Sequence, residues 1–269
     1  PQGPAGTDGA TGATGPAGPT GPEGPAGSGG SGGYGTAAMS GYWARQPWTI
    51  RTSAANNQWR GHCWSPEVGL FVAISWSGGG DRVMTSPDGI TWTIRVQNFA
   101  KDWQAVCWSA EVGLFVAVAN YSSIDVVMTS PDGINWTQRN AAAALAWSGI
   151  CWSKEVGLFV AVAASGTGNR VMTSPDGINW TSRTSAADNQ WLSVCWAPEL
   201  GLFVAVANSG IGNRVMTSPD GINWTARTSA ADNQWLSVCW SKEVGLFVAV
   251  ATSGTGNRVM TSPDGINWT

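Results

Sequence analysis

The sequence predicts an all-β fold built from a tandem repeat, on three observations. A 44-residue unit occurs five times, and its period is seen in the methionines at positions 84, 128, 172, 216 and 260. Each unit contains four short runs of β-forming residues, and the chain shows no helical pattern of apolar residues. Turn-forming residues separate these runs. Four strands in a repeat of this length predict one blade of a β-propeller for each unit.

The second complete unit illustrates the predicted strands. They span residues 103–108, 114–119, 126–130 and 134–137, and the turn Pro131-Asp132-Gly133 separates the last two. Five units predict five blades, while six or seven blades remain open for a longer native chain. A sixth copy of the fourth strand, residues 48–51, precedes the first unit. We expect this copy to pair with the last blade and close the ring.

Residues 1–33 follow a different pattern, with glycine at every third position from Gly3 to Gly33. Only glycine fits the crowded axis of three polyproline-II chains, so the segment predicts a collagen-like triple helix and a homotrimer. Proline occupies only the first variable position of its triplets, which resembles the collagen-like stalks of bacteria, phages and large viruses. A flexible Gly/Pro linker is the alternative. Residues 34–41 are interpreted as a linker and residues 42–269 as the propeller.

Composition limits the partners and cofactors that we expect. The net charge is −3 and only 12% of residues are charged, with both signs interspersed, so no nucleic-acid surface is predicted. No apolar run approaches the roughly 18 residues that a membrane span requires, so no membrane insertion is expected. The cysteines recur at one position of the repeat, too far apart for disulfide bonds, and are predicted to be free, buried thiols. No metal site is predicted, because no histidine accompanies them with ligand spacing, and no cofactor is expected.

The turn Ser86-Pro87-Asp88-Gly89-Ile90-Thr91-Trp92 and its four copies resemble the Asp-box, or BNR repeat, of sialidase-type propellers. The resemblance covers residues 42–269, although Asp and Gly are adjacent here and lie one residue apart in the usual form. In that family the box is a folding device. The resemblance implies that its Asp accepts hydrogen bonds from backbone N–H groups of its own turn while its Trp packs beneath it. The structural Asp-box residues would be Asp88, Asp132, Asp176, Asp220 and Asp264.

The sequence does not predict an enzyme. A sialidase-like hydrolase needs an arginine cluster, a tyrosine nucleophile with a partner glutamate, and an acid/base aspartate, each at a unique place. Here the arginines recur in register, and residues 177–220 differ from residues 221–264 at only six positions. Residues that recur in every blade are typical of packing, so no catalytic residue is predicted. His62, the one histidine, replaces an aliphatic residue of the other units and is interpreted as a tolerated substitution.

Comparison of the units with one another locates a candidate ligand site. In a four-stranded blade, the loop between blades and the loop between the second and third strands open on one face. These two loops vary, whereas the Pro-Asp-Gly and Glu-Val-Gly turns of the opposite face hardly change. Amides and carboxylates can bind sugar hydroxyls, and exposed aromatic rings can stack on a pyranose. The candidate ligand-binding residues are Asn57, Trp76, Asp81, Asp102, Tyr121, Asp125, Asn169, Asn213 and Asn257.

These observations favour a non-enzymatic attachment protein, in which lectin-like propeller heads on a trimeric stalk bind glycans multivalently. The expected partners are cell-surface or extracellular glycans, and the expected location is extracellular, at a cell surface or on a virion surface or fibre. A purely structural surface or appendage protein, whose variable loops bind nothing, is the first alternative. A sialidase-like glycoside hydrolase is the second.

Overall fold

Nineteen β-strands in five antiparallel sheets make up the part of the chain that the structure describes, residues 49–269 and Gly3. The structure is a computed structural model of the 269-residue chain, and its residues from Ile50 to Thr269 form one unit. The predicted triple helix and the predicted linker lie outside the described residues, apart from Gly3. The described residues contain no helix that is long and apolar enough to cross a membrane.

The sheets follow one another along the chain, and each is one blade. Blade 1 comprises β1 (Trp59–Ser65), β2 (Leu70–Ser75), β3 (Val83–Ser86) and β4 (Thr93–Arg95). Blade 2 comprises β5 (Trp103–Ser109), β6 (Leu114–Ala119), β7 (Val127–Ser130) and β8 (Thr137–Arg139). Blade 3 comprises β9 (Trp147–Ser153), β10 (Leu158–Ala163), β11 (Val171–Ser174) and β12 (Thr181–Arg183). Blade 4 comprises β13 (Trp191–Ala197), β14 (Leu202–Ala207), β15 (Val215–Ser218) and β16 (Thr225–Arg227). Blade 5 comprises β17 (Trp235–Ser241), β18 (Leu246–Ala251) and β19 (Val259–Ser262).

The first strands form the inner layer of the fold. β1 packs beside β5, β5 beside β9, β9 beside β13 and β13 beside β17. Inside each blade the strands pair in chain order, as the repeat predicts. Five sheets of three or four antiparallel strands, placed side by side in this way, have the architecture of a β-propeller.

Blades 2 to 4 have a neighbouring blade on each side, and both of their faces are apolar. In blade 2, residues Phe115 to Ala119 of β6 are completely buried. The tryptophans that begin the first strands of blades 2 to 5 are completely buried as well: Trp103, Trp147, Trp191 and Trp235. Removing a buried side chain of this size costs about 3–5 kcal/mol, so these rings are a large part of the stability of the fold.

The predicted fourth strands begin later than expected, and the prediction of residues 134–137 is wrong by about three residues. Pairing starts at Thr137, because the residues before it belong to the turn. The Asp132 carboxylate accepts hydrogen bonds from the backbone N–H groups of Ile134 and Asn135 at 2.8 and 2.7 Å. The Trp136 Nε1–H group donates to the Gly133 carbonyl oxygen at 3.0 Å. Gly133 itself has a φ of 70°, which glycine adopts without strain.

Residues 49–51 do not form the strand that was predicted to pair with the last blade and close the ring. Thr49, Ile50 and Arg51 lie outside any strand, and Ile50 is 98% exposed; Trp48 lies outside the described residues. The sheet of blade 5 has three strands, and Thr269 extends it through two backbone hydrogen bonds to Thr261 at 2.9 and 3.0 Å. In every repeat, a Ser-Pro-Asp-Gly sequence precedes the tryptophan that comes before the fourth strand. The sequence before residues 48–51 contains no such motif.

The two outer faces of the described blades are therefore uncovered. On blade 1, Arg60, His62 and Trp64 are exposed, whereas the equivalent of His62 in blade 2, Val106, is 7% exposed. On blade 5, Val250 and Val259 are 44% and 59% exposed, although the equivalent valines of blade 4 are completely buried. Blades 1 and 5 thus each have one face that no other described blade covers.

Trp103 offers a test of how the buried tryptophans are held. In the other blades the equivalent indole N–H donates to the carbonyl oxygen of an alanine four residues earlier, as Trp147 does to Ala143 at 3.1 Å. Phe99 stands at that position in blade 2, and its ring packs edge-on against Trp103. The Trp103 Nε1 atom is buried without a hydrogen-bond partner among the described residues.

We therefore expect Trp103→Phe to destabilise the protein less than Trp147→Phe. Both substitutions remove the same volume, but only the second breaks a buried hydrogen bond, which contributes about 1 kcal/mol. Urea unfolding of the two variants, followed by tryptophan fluorescence, measures the difference. Equal losses of unfolding free energy would show that the hydrogen bond to Ala143 contributes nothing.

Candidate functional site

A β-bulge lies at the second residue of every first strand. In β1, Trp59 pairs with Ser75 and Gly61 pairs with Ile74, so Arg60 has no partner in the ladder. The same irregularity occurs in the other four blades, at Gln104, Ser148, Leu192 and Leu236. An extra residue of this kind bends the strand and re-aims a side chain. These five side chains line one cavity at the inner edge of the blades.

The cavity has a volume of about 650 Å³ and receives residues from all five blades. Besides the bulge residues, its polar lining includes Asn120, Gln190 and Asn208, which belong to the variable loops or border them. The cavity therefore lies at the same end of the sheets as the variable loops. Its volume is within the range of small-molecule sites.

The lining of this axial cavity is not symmetric. Arg60, Gln104 and Ser148 make it polar beside blades 1 to 3, while leucine occupies the same position in blades 4 and 5. Arg60 is the one lysine or arginine among the described lining residues, which include no aspartate or glutamate. The Asn208 Oδ1 atom is buried and accepts no hydrogen bond from a described residue. The cavity thus offers a cation, several amides and a hydroxyl opposite an apolar wall.

The two kinds of variable loop lie against each other on this face. The Gln97 N–H group, from the loop between blades 1 and 2, donates to the Gly80 carbonyl oxygen in the loop between β2 and β3 at 2.8 Å. In blade 2, Asn120 and Ala146 form an isolated β-bridge between the corresponding loops. The antiparallel order of the strands thus brings the variable segments together, and leaves the invariant turns at the other end.

The two aromatic residues predicted to bind a ligand are both exposed at this face. Trp76 is 42% exposed and Tyr121 is 49% exposed. A cation lies over each ring: the Arg60 Cζ atom is 4.7 Å from the Trp76 ring centroid, and the Lys101 Nζ atom is 4.6 Å from the Tyr121 ring centroid. Arg60 also lines the axial cavity, so the Trp76 ring lies next to a residue of the cavity wall.

The predicted polar residues of the first two blades mostly hold the loops together. The Asn57 Nδ2 group donates to the Asp81 carbonyl oxygen at 2.9 Å, and the Asp81 carboxylate accepts from the Gly79 N–H group at 2.8 Å. Asp102 forms a salt bridge of 2.9 Å with Arg82. Asp125 forms one of 2.9 Å with Lys101.

Asp125 is ionised by its surroundings. Hydrogen bonds donated by the Ser123 hydroxyl and the Lys101 ammonium group hold its pKa below the usual value. The Gln138 side chain also donates to its second carboxylate oxygen at 2.9 Å. Lys101 consequently contacts both the Asp125 carboxylate and the face of the Tyr121 ring. The positive charge of Lys101 is therefore already balanced by Asp125 within the loops.

The three predicted asparagines of blades 3 to 5 also have partners inside the protein. The Asn169 side-chain oxygen accepts from the Thr167 N–H group at 3.1 Å. The Asn213 side-chain oxygen accepts from the Asn189 amide at 3.0 Å. The Asn257 carbonyl oxygen accepts from the Asn233 amide at 2.6 Å. The contacts of Asn213 and Asn257 connect the loop before a blade with the loop between its second and third strands, whereas the contact of Asn169 lies within its own loop.

Sequence reasoning missed the bulge residues, although a signal for them was present. Arg60, Gln104, Ser148, Leu192 and Leu236 occupy one position of the repeat and differ more than their neighbours. That position was read as part of a strand packed between blades. The bulge, which the alternation of apolar residues does not reveal, directs these side chains to the axis instead.

The aspartates of the five Ser-Pro-Asp-Gly turns, here called the Asp-turns, do not line the axial cavity. They stabilise the turns at the other end of the sheets. In blade 3, the Asp176 Oδ1 atom accepts from the backbone N–H groups of Ile178 and Asn179, each at 2.8 Å, and from the Ser174 hydroxyl at 2.9 Å. Partial burial is the largest single influence and raises the pKa of Asp176, but the hydrogen bonds together outweigh it and lower the pKa to about 2. The same N–H contacts are made by the other four members: Asp88, Asp132, Asp220 and Asp264.

The five cysteines form no disulfide bond. All five are free, and burial raises the pKa of the Cys63 thiol to about 12. Cys239, on the outer face of blade 5, is exposed and the other four are only partly buried, which differs from the prediction that all five are buried. Within residues 49–269 the structure places no three His, Cys, Asp or Glu side chains together as a metal site.

Comparison with known proteins supports the fold. No protein-family model and no curated protein matches the chain. A catalytically inactive virginiamycin B lyase from Staphylococcus aureus with quinupristin superposes with a TM-score of 0.67 at 10% identity, over 82% of this chain and 71% of that one. A nidogen/laminin complex gives a TM-score of 0.57 at 13% identity over 76% and 75%. YCF48 from Cyanidioschyzon merolae gives 0.52 at 15% over 78% and 68%. These solved structures are β-propeller proteins, and residues 50–269 form a fold of the same class, made of repeated four-stranded blades.

The Asp-turns make the stability of the protein sensitive to acid. The pKa of Asp176 is about 2 in the folded state, below the value of roughly 3.9 for an unfolded chain, so its contribution is complete above about pH 4 and is lost as the pH falls to about 2. Asp176→Asn should therefore destabilise the protein by about 1 kcal/mol at pH 7, and by less at pH 2.5, which lies between the two pKa values, so that protonation of the unfolded chain has already removed part of the contribution.

Urea unfolding of Asp176→Asn and of the native protein at the two pH values measures this difference. Glu243→Gln is the matched control, because its side chain is 72% exposed and holds no such turn. A destabilisation that is the same at both pH values would show that the ionised state of Asp176 does not stabilise its turn.

Proposed function

We propose that this protein is a non-enzymatic attachment protein whose propeller head binds glycans at the axial cavity and the surrounding variable loops. The observation that carries the proposal is the convergence of the five bulge positions on one cavity, next to an exposed tryptophan. The bulge position differs from blade to blade, and so do the loops beside the cavity, whereas the strands packed between blades are nearly invariant. Variable residues presented by a rigid scaffold are typical of a recognition site.

The chemistry of the cavity suits a sugar. Carbohydrates present hydroxyl groups at their edges and C–H groups on their faces, and the cavity places Gln104, Ser148 and Gln190 opposite leucine side chains. The unpaired Asn208 Oδ1 atom could accept a hydrogen bond from a ligand hydroxyl. Trp76 adds an aromatic surface at the rim, of the kind that stacks on a pyranose ring.

Arg60 favours sugars that carry a carboxylate. Its guanidinium group stacks on Trp76 and has no carboxylate partner in the cavity lining. Arginine binds carboxylates through two parallel hydrogen bonds, so an acidic sugar would gain an ion pair here that a neutral sugar lacks. Lys101 differs from Arg60 in this respect, because Asp125 already balances its charge.

Binding without hydrolysis is the form of this function that the site favours. Most glycoside hydrolases act through two carboxyl groups that flank the scissile bond. The described residues that line the axial cavity include neither aspartate nor glutamate. The invariant aspartates lie in the turns of the opposite face, where they accept hydrogen bonds from their own backbone.

The proposed collagen-like stalk would make the binding multivalent. A triple helix formed by residues 1–33 would present three heads together at a cell or virion surface, and linked sites exceed single-site affinity by about 10² to 10⁴. Weak single sites would then suffice for attachment. In this proposal the repeated blades form a stable head, and the stalk brings three heads together.

A glycan array probed with the full chain tests the proposal, beside the double variant Trp76→Ala, Tyr121→Ala and the single variant Arg60→Gln. We expect binding that includes acidic glycans, a loss of about ten-fold or more in the double variant as the stacking surface is removed, and a selective loss of acidic glycans in Arg60→Gln.

Trp64→Ala is the control for removing an exposed tryptophan, because Trp64 lies at the other end of β1 and should leave binding unchanged. Absence of binding across the array by a folded protein would contradict the proposal and favour a purely structural surface or appendage protein.

A further inference from the structure

A second cavity lies at the opposite end of the first strands, at the turns that join the first and second strands of the blades. Its volume is about 300 Å³, and its walls include the penultimate residues of three first strands, Trp108, Trp152 and Trp196. Glutamates from the turns after the first strands of blades 1 to 3 complete the lining: Glu67, Glu111 and Glu155. The glycan site uses none of these residues.

Each indole ring of this cavity is fixed on two sides. The Trp152 Nε1–H group donates to the Glu111 Oε2 atom of the preceding blade at 2.7 Å. The ring also packs on Phe159 of its own blade, with 4.4 Å between the centroids. Trp108 and Trp196 make the same two kinds of contact. The aromatic walls are therefore preorganised, since a ligand would not have to order them.

The cavity carries net negative charge. Three glutamates face one lysine among its lining residues, and the pair of Lys154 and Glu155 is loose, with 4.0 Å between Nζ and Oε1 and a lysine side chain that is 68% exposed. A hydrogen bond from its own backbone N–H group, assisted by the Trp152 indole and Lys154, lowers the pKa of Glu111 despite an opposing effect of burial. Its carboxylate is consequently ionised at neutral pH.

Tryptophan faces and carboxylates together define the ligand chemistry. The indole ring is the best aromatic partner for a cation, and groups of such rings recognise quaternary ammonium ions. We propose that this cavity, here called the Trp/Glu mouth, binds a small quaternary ammonium compound between Trp108, Trp152 and Trp196, with the glutamates supplying the opposite charge.

A methylated cation fits the Trp/Glu mouth better than a primary ammonium ion. The Oε2 atoms of its glutamates already accept indole N–H groups, which leaves less capacity for the three hydrogen bonds that a primary ammonium donates. A trimethylammonium group has no N–H to donate, so it needs no acceptors, and its methyl groups suit the apolar walls that Pro66, Ala110 and Pro198 extend. A primary ammonium is also the more strongly hydrated ion, so its desolvation would cost more.

Titration of the full chain with choline tests the proposal, and its uncharged carbon isostere 3,3-dimethylbutan-1-ol and sodium chloride at equal ionic strength serve as reference solutes. We expect choline to change the tryptophan fluorescence saturably and to bind at least about ten-fold more tightly than the isostere. Equal responses to choline and to its isostere would overturn the proposal, as would a response that sodium chloride reproduces.

Two substitutions locate the site. Glu111→Gln keeps a side-chain oxygen for the Trp152 indole and removes one charge, so choline should bind about three-fold more weakly or worse. Glu243→Gln, at the same repeat position in blade 5 but outside the cavity, should have no effect. Lys154→Gln removes the competing cation and should tighten binding by about two-fold.

Each substitution is a test by itself, because weaker binding by Glu111→Gln and tighter binding by Lys154→Gln are expected independently, so one unstable variant does not remove the test. Opposite effects of Glu111→Gln and Lys154→Gln support a cation bound at the Trp/Glu mouth. Unchanged choline affinity in both folded variants would place the bound choline elsewhere and refute the assignment. Because glycan binding uses the other end of the blades, Glu111→Gln should leave the glycan array unchanged.

Discussion

Burial of both faces of each blade is the constraint on which the rest of the structure depends. A sheet such as blade 3, whose β10 and β11 are apolar on either side, cannot be stable in water without neighbours. Stacking supplies those neighbours, and each interface repeats the same contacts, including the indole to glutamate bond across 41 residues. The near-identity of the repeats follows, because each blade must fit both the preceding and the following copy.

The same constraint determines where the repeats can differ. Positions packed between blades vary little, but the bulge residue of each first strand has no partner in the ladder, and its side chain lines the axial cavity. Arg60, Gln104 and Leu192 can therefore replace one another without disturbing the interfaces. A symmetric scaffold thus acquires an asymmetric cavity through substitutions at a single repeat position, with little cost to its stability.

The sequence was sufficient to predict the parts of the fold that depend on period and on local turn chemistry. The step of 44 residues predicted the blades, and the Asp132 turn was predicted to bind its own backbone, as its N–H contacts show. The start of the fourth strand was not predictable from β-propensity, because hydrogen bonds of the turn hold Trp136 away from the ladder. The exposed Trp76 and Tyr121 lie on the face where the loops vary, whereas the bulge that creates the cavity has no signature in the alternation of apolar residues.

The variable loops indicated the correct face of the blades for a ligand site. Most of the polar side chains predicted to bind the ligand, however, bind other groups of the protein. Asparagine and aspartate side chains that are close to backbone groups bind them first, as Asn57 binds Asp81 and Asn189 binds Asn213. The axial cavity presents polar groups of a different kind, among them Arg60 and the Asn208 Oδ1 atom, which accepts no hydrogen bond from a described residue. Strand direction then separates two chemistries. The starts of the first strands present amides and Arg60, while their ends present tryptophan and glutamate, so one inner layer supports two cavities of opposite charge preference.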